Sequence, residues 1–156
     1  MSQITDLRKS VPMSEINSDI RIRTYRSADL SSVIELWRAC GLVVPQNDPE
    51  LDIKHKLSLQ PELFLVATYL NRLVATVMAG YEGHRGWINY LAVDPDLQRK
   101  GIGRQIMTAA EKKLLDMGCP KINLQVRDSN QSVIAFYKRL GFNVDPVVSL
   151  GKRLEK

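Results

Sequence analysis

The chain has 156 residues, of which 44% are hydrophobic and 25% are charged, and its formal net charge at pH 7 is +5. These values suit one globular domain that buries a core without disulfides. No apolar run approaches the ~20 residues that span a bilayer, and charged residues interrupt the N-terminus where a signal peptide is apolar. We therefore expect a cytoplasmic protein with no membrane partner.

The cysteines and the basic excess both argue against some classes of function. Cys40 and Cys119 lie far apart and lack the spacing of metal ligands, so we expect free thiols and no metal. The basic residues are spread among acids and are accompanied by no aromatic RNA-binding signature or zinc spacing, so we expect no nucleic-acid partner. The positive excess suits a polyanionic ligand instead.

The N-terminal third begins with a polar segment and continues with a strand and a helix. Residues 1–19 are polar and aperiodic, and we expect a mobile extension with one helical turn. Alternation of apolar and polar residues predicts a strand over 20–25. Ser27 is suited to cap the helix that follows, and Gly41 is suited to end it.

The middle of the chain predicts a second helix and three strands. Asp48 is a typical capping residue before a helix that starts at a proline and ends before Pro61. The apolar runs 63–69 and 73–81 are separated by a short turn, which indicates a hairpin. A polar loop then leads into an apolar strand over 87–93.

The last third predicts two amphipathic helices and three strands. The helices cover 102–117 and 130–140, and each has its apolar residues on one face. An alternating strand over 121–126 lies between them, and two short strands, 142–144 and 147–154, end the chain. The order of elements is therefore β-α-α-β-β-β-α-β-α-β-β.

The most informative segment joins the strand over 87–93 to the helix that follows it. A turn at Asp94-Pro95 leads into the basic loop Gln98-Arg99-Lys100-Gly101-Ile102-Gly103. Glycines let backbone amides approach an anion closely, and the first amides of a helix have no intrahelical partner. The helix dipole adds ~0.3–1 kcal/mol of attraction. The segment therefore predicts a pyrophosphate site, although it matches neither the P-loop nor the dinucleotide fingerprint.

This loop resembles the Q/R-x-x-G-x-G/A motif of the GNAT superfamily of N-acetyltransferases, and the order of elements agrees from about Ile20 onward. A second motif of that superfamily, N-x-x-A-x-x-x-Y-x-x-x-G-F, is matched by 130–142 with Val133 in place of the usual alanine. Two further stretches, 47–50 and 80–86, together with the sequence Ser-Leu-Gly-Lys-Arg-Leu near the C-terminus, resemble small bacterial YpeA-like members, which are related to the ribosomal-protein acetyltransferases.

The resemblance implies an α/β (α+β) fold, the GNAT fold, with a mixed central sheet of about six or seven strands and helices on both faces. It implies one acetyltransferase domain over 20–156 behind the extension over 1–19. Acetyl-CoA is then the co-substrate, no metal is needed, and a primary amine attacks the thioester directly in a ternary complex. The acceptor stays open among small molecules, protein N-termini and lysines, and the superfamily often forms homodimers.

The resemblance also implies which residues bind the cofactor. The strand before the loop contacts the pantetheine arm and the acetyl carbonyl through its backbone, because in this superfamily it splays from the next strand. Asn130 hydrogen-bonds the pantetheine arm, and the loop amides bind the pyrophosphate. The implied cofactor-binding residues are Leu91, Ala92, Val93, Gln98, Arg99, Lys100, Gly101, Ile102, Gly103, Arg104, Asn130 and Tyr137.

Two residues are expected to move protons. Tyr137 is implied as the acid that protonates the departing coenzyme A thiolate, which a phenol of pKa ~10 can do when positioned and partly desolvated. Glu82 is the first candidate for the base, because it follows the strand over 73–81. His84 is the next candidate, and a water chain is the alternative. Candidate residues around the acceptor are Asp48, Tyr81, His84 and Tyr90.

Three other interpretations stay open, one of which is a basic nucleic-acid-binding domain that strongly salt-dependent DNA binding would support. A non-catalytic, regulatory module that binds acyl-CoA would use the same fold, and the presence of Tyr137 argues against it. An enzyme that transfers a larger acyl group would keep the same loop and the same tyrosine.

Overall fold

A five-stranded mixed sheet forms the centre of the first of two units in the computed structural model, which describes residues 12–155. Among these residues, the first unit covers 12–124 and the second covers 125–155. The first four strands pair antiparallel in chain order, and the fifth is parallel to the fourth. The strands are β1 (Ile20–Thr24), β2 (Phe64–Tyr69), β3 (Arg72–Tyr81), β4 (Gly86–Val93) and β5 (Ile122–Asn123). The α-helices of the first unit are α1 (Met13–Asp19), α2 (Leu30–Ala39), α3 (Pro49–Ser58) and α4 (Ile102–Asp116), and the second unit contains α5 (Gln131–Arg139).

The two faces of the sheet pack against different helices. Phe64, Val66 and Met78 point to one face, where they join Trp37 of α2 and Ile53 of α3 in one buried cluster. The residues that alternate with them point to the other face, and α4 packs there against β2 and β3. Helices therefore cover both faces, as predicted. The buried residues of α4 are Ile102, Gly103, Ile106, Met107, Ala110 and Leu114.

The turn between β2 and β3 is a two-residue hairpin loop. Leu70 and Asn71 have φ values of 49° and 64°. Positive φ at both central residues is the backbone of a type I′ turn, whose twist matches that of the flanking strands. The hairpin predicted over 63–69 and 73–81 is confirmed.

One of the two predicted helix caps is confirmed and the other is wrong. Asp48 Oδ1 accepts the Leu51 amide at 3.2 Å and caps α3. Ser27 makes no capping hydrogen bond; instead, Asp29 Oδ2 accepts the Arg26 amide at 2.8 Å. Because Asp29 reaches back three residues, it closes a 3-10 turn that precedes α2.

The N-terminal segment differs from its prediction where the structure describes it. Residues 13–19 form the helix α1 in place of a mobile extension with one turn. Ile16 explains the difference, because its side chain is fully buried and anchors the helix. Residues 1–11 of the predicted extension lie outside the described residues, and the single domain over 20–156 stays a prediction.

The strands predicted after α4 are shorter than expected or absent. The strand over 121–126 is reduced to β5, and neither 142–144 nor 147–154 forms a strand. An extended segment becomes a strand only where its backbone groups pair with a neighbour. The apolar residues that suggested the last strand are exposed, with Val148 at 84%. The α/β class is confirmed, and the sheet has five strands among the described residues in place of six or seven.

Candidate functional site

β4 contains a bulge at Tyr90 and Leu91. Its register with β3 pairs Ala92 with Thr76 and Asn89 with Met78, so three steps along β4 oppose two along β3. Tyr90 has a φ of 51°, a left-handed conformation that costs ~1–3 kcal/mol in a residue other than glycine. Such strain persists only where the surrounding structure holds it, and it is often found at functional sites.

Buried hydrogen bonds and a ring stack hold the bulge in place. Thr76 Oγ1 donates to the Tyr90 carbonyl at 2.9 Å, and Trp37 Nε1 donates to Thr76 Oγ1 at 2.8 Å. The Trp37 and Tyr90 rings stack with their centroids 3.8 Å apart. Tyr90 also donates its hydroxyl to Asp52 Oδ2 at 2.5 Å, and burial together with this carboxylate raises the pKa of Tyr90. The position of Tyr90 is therefore fixed at both its backbone and its side chain.

The edge of β4 that faces β5 is paired over two residues. Gly86 lies opposite Ile122 and Trp87 lies opposite Asn123, and within residues 12–124 no strand pairs with this edge beyond Trp87. A Cβ at Gly86 would lie 2.8 Å from Cys119 Sγ, so only glycine permits the close approach that starts the pairing. The splay of β4 from the next strand, which the resemblance implied, stays a prediction.

The loop after β4 is tightly folded and leads directly into α4. Asp94 Oδ1 accepts the Asp96 amide at 2.9 Å, and Leu97 anchors the loop because its side chain is fully buried. Arg99 and Gly101 have φ values of 64° and 86°, and α4 begins at the next residue. Left-handed residues among right-handed ones turn successive amides toward a common point, which is a typical anion-binding arrangement.

Helix α1 contacts this loop, a feature that sequence patterns did not reveal. A Cβ on Gly101 would lie 3.2 Å from Asn17 Nδ2, and Gln105 Nε2 donates to the Asn17 carbonyl at 3.3 Å. Asn17 Oδ1 and Gln105 Oε1 are buried without a hydrogen-bond partner. Asn17, which lies in the segment predicted to be mobile, thus places its amide side chain beside the loop that follows β4.

Glu82 and His84 lie in an exposed turn after β3. Glu82 Oε1 accepts the backbone amides of His84 at 3.1 Å and of Arg85 at 2.5 Å. Tyr81 Oη donates to the Gly83 carbonyl of the same turn at 3.1 Å. The turn therefore brings three of the predicted residues together, and the Glu82 carboxylate has a structural task within it. Asp48, which was also predicted near the acceptor, caps α3.

One face of α3 and the residue Gln60 after it hold the end of β3. The pairing of β2 with β3 ends at Met78, so the next backbone groups lack a strand partner on that side. Lys56 Nζ donates to the Ala79 carbonyl. Gln60 pairs with both backbone groups of Tyr81, at 2.8 and 2.9 Å, as a strand would. Sequence patterns gave no sign of these contacts, because helix spacing shows which residues lie on the same face of a helix but not which groups that face contacts.

The second motif packs around Tyr137 within the second unit. The Tyr137 ring makes edge contacts with Phe136 and Phe142, with centroids 5.2 and 5.5 Å away. Burial raises the pKa of Tyr137 to about 12. Its hydroxyl has no hydrogen bond to another residue of the described chain. Asn130 precedes α5 without capping it, and its Oδ1 accepts the Ser132 hydroxyl at 3.3 Å.

The described residues also bear on metal and membrane sites. Cys40 and Cys119 are free, and Cys40 Sγ donates to the Val93 carbonyl at 3.2 Å. No group of three or more potential metal-ligating side chains occurs in residues 12–155. Over the same residues, no helix is both long enough and apolar enough to cross a bilayer.

Comparison with known proteins gives one family and several related folds. The model of the acetyltransferase (GNAT) family matches residues 30–142. An acetyltransferase of Pectobacterium atrosepticum is 47% identical over 135 residues, which are 86% of this chain and 96% of the relative. The ribosomal-protein-S18-alanine N-acetyltransferase of Escherichia coli superposes with a TM-score of 0.67 at 25% identity, over 80% of this chain and 77% of that one. The PaiA N-acetyltransferase of Thermoplasma acidophilum, solved with coenzyme A, shares the fold with a TM-score of 0.66 at 23% identity, over 83% and 92%.

Proposed function

The chain belongs to the acetyltransferase (GNAT) family of enzymes, and we propose that it transfers an acetyl group from acetyl-CoA to a primary amine. The observation that carries this proposal is the left-handed glycine loop at the start of α4, directly after a bulged strand that pairs with β5 over two residues. The amine attacks the thioester without a covalent enzyme intermediate.

The cofactor would bind along β4 and the start of α4. Residues 98–104 would hold the pyrophosphate, because their backbone combines positive φ with the first turn of a helix and with basic side chains. The backbone of residues 91–93 would bind the pantetheine arm at the edge of β4 that faces β5. Asn130 would contribute a further hydrogen bond to that arm.

The reaction forms an N–C bond and breaks a C–S bond. A backbone amide in the β4 bulge would stabilise the oxyanion, an effect that reaches ~2.7–4 kcal/mol at other acyl-transfer sites. The amine loses a proton, and Tyr137 gives one to the departing thiolate. Deprotonation at pH 7 costs ~4.6 kcal/mol for a lysine-like amine but only ~1 kcal/mol for an α-amine. A base is therefore valuable for the first class of acceptor and of minor use for the second.

For an α-amine acceptor, Glu82→Gln is expected to lower kcat/KM about 10-fold at pH 7, since the deprotonation cost is only ~1 kcal/mol. The amide keeps an oxygen that can accept the two turn amides, but it cannot take a proton. The pH profile of kcat/KM measures the effect, with Glu35→Gln on the exposed face of α2 as the control. A profile identical to that of the wild type would leave Glu82 as a turn residue and assign the proton to a water chain.

Calorimetric titration with acetyl-CoA tests the proposal directly, with coenzyme A and NADH as comparisons. We expect micromolar binding of acetyl-CoA and no binding of NADH. Thiol release in the presence of a library of amines then measures transfer. Binding without release for any amine would favour a regulatory module, and release only with longer acyl-CoA esters would favour a larger acyl group. No binding of any acyl-CoA would overturn the proposal.

A further inference from the structure

Helix α3 presents two opposite charges on the face that packs against the sheet. Asp52 and Lys56 are four residues apart and therefore lie one above the other. Both residues are half-buried. Asp52 accepts the Tyr90 hydroxyl, and Lys56 donates to the Ala79 carbonyl. Neither forms an ion pair with the other or with any residue in the described part of the chain.

This arrangement is unusual, because charges removed from water are normally paired. Burial lowers the pKa of Lys56, because removal from water disfavours the charged form of its amine. The charge of Glu62 opposes this shift, although Glu62 lies beyond ion-pair distance. A tether between α3 and the sheet needs no charge, since Gln60 holds Tyr81 with a neutral amide. The two charges therefore have a use beyond fastening the helix.

The position of Asp52 connects this face to the proposed acyl site. Its partner Tyr90 lies in the β4 bulge and directly precedes Leu91, where the proposed function places the acetyl group. The ring of Tyr90 is fixed by its stack on Trp37, so the Asp52 carboxylate is held at the same end of the bulge. Asp52 can still accept hydrogen bonds, because Tyr90 uses one lone pair of a carboxylate that has about four.

We propose that Asp52 and Lys56 bind the two charges of an α-amino acid acceptor, Asp52 its ammonium group and Lys56 its carboxylate. The proposal rests on the proposed function, because it names the acceptor of the same reaction. A ligand with both charges supplies each residue with the counter-ion that it lacks.

Matched pairs of acceptors test the proposal. Each common α-amino acid is compared with the amine that lacks the carboxylate, such as phenylalanine with phenethylamine, histidine with histamine and lysine with cadaverine. The measurement is kcat/KM from thiol release at saturating acetyl-CoA. We expect the amino acid to be preferred about 10- to 100-fold within at least one pair, the range that a hydrogen bond to a charged group supplies.

Charge-neutral variants locate the preference. Lys56→Gln keeps a donor for the Ala79 carbonyl and is expected to abolish the preference within the pair, while kcat/KM for the plain amine changes little. Asp52→Asn is expected to raise KM for both members about 10- to 100-fold without changing KM for acetyl-CoA. Lys54→Gln, on the exposed face of α3, is the control and should preserve the preference. A merely structural role of Lys56 would alter both members of a pair equally, and a merely structural role of Asp52 would also change KM for acetyl-CoA.

The outcomes separate this proposal from the proposed function. Turnover of plain amines that equals or exceeds that of amino acids would overturn the proposal and leave the acetyltransferase assignment intact. A preference that survives Lys56→Gln would also overturn it. If acetyl-CoA binds but no α-amino acid is acetylated, the acceptor class is wrong. If Lys56→Gln does not fold, the wild-type ratio within the pairs still decides.

Discussion

Gly103→Glu is expected to abolish acetyl-CoA binding. Gly103 is buried in the first turn of α4, beside the amides that would receive the pyrophosphate. A glutamate there adds bulk and places a carboxylate where it competes for the same amides. Two like charges ~4 Å apart repel by about 4 kcal/mol at an effective dielectric constant of ~20, which corresponds to nearly three powers of ten in Kd. Calorimetric titration with acetyl-CoA checks the result.

A second glycine provides the matched control for this substitution. Gly151 is exposed, and a Cβ there would meet nothing within 4 Å. Gly151→Glu changes the net charge by the same amount and should leave the Kd for acetyl-CoA unchanged. If Gly103→Glu does not fold, Arg99→Glu reverses a charge at an exposed loop position and should weaken binding. Unchanged affinity in the folded variants would show that the cofactor does not use this loop.

Much of the fold follows from local sequence signals. Asp48 caps α3 by accepting an amide of the helix that directly follows it. The type I′ turn at Leu70 and Asn71 depends on these two residues and on the flanking strands. The failures occurred where pairing with a distant partner decides the structure. The apolar residues over 147–154 suggested a strand, but a strand exists only where another one pairs with it. Ile16 made α1 a helix through burial, which polarity alone did not predict.

In the candidate site, too, the features with local sequence signals were predictable and those that depend on distant contacts were not. The position of the glycine loop before α4 was predictable, because glycine spacing and an adjacent helix start are local signals, and its role in binding an anion stays a prediction. The supports of the bulge were not, since Trp37 and Thr76 are 39 residues apart and meet only after the chain has folded. The charges of Asp52 and Lys56 were visible as a helix-spaced pair. The sequence does not show whether two such residues form an ion pair with each other or hydrogen-bond to the sheet, because this depends on the groups that the sheet presents to them.

Tyr137→Phe is expected to lower kcat about 10²- to 10⁴-fold, the usual contribution of a general acid. The affinity for acetyl-CoA should change much less, because the substitution removes one oxygen and keeps the ring that packs against Phe136 and Phe142. Steady-state turnover combined with calorimetric titration separates the two effects. Equal losses in kcat and in affinity would make Tyr137 a binding residue. Tyr25→Phe is the control, since Tyr25 is also buried and stacked on an aromatic ring, and should leave kcat unchanged.

The pKa of Tyr137 adds a second test of the same role. An acid must be protonated to act, and burial raises the pKa of Tyr137 from 10.0 to about 12. The phenol therefore stays protonated throughout the range of pH in which the protein can be assayed, and its ionisation should cause no loss of kcat below pH 10. An alkaline loss of turnover centred near pH 10 in the wild type, absent in Tyr137→Phe, would contradict this. A phenol that keeps its proton in the resting enzyme is available as the acid at every pH of the assay.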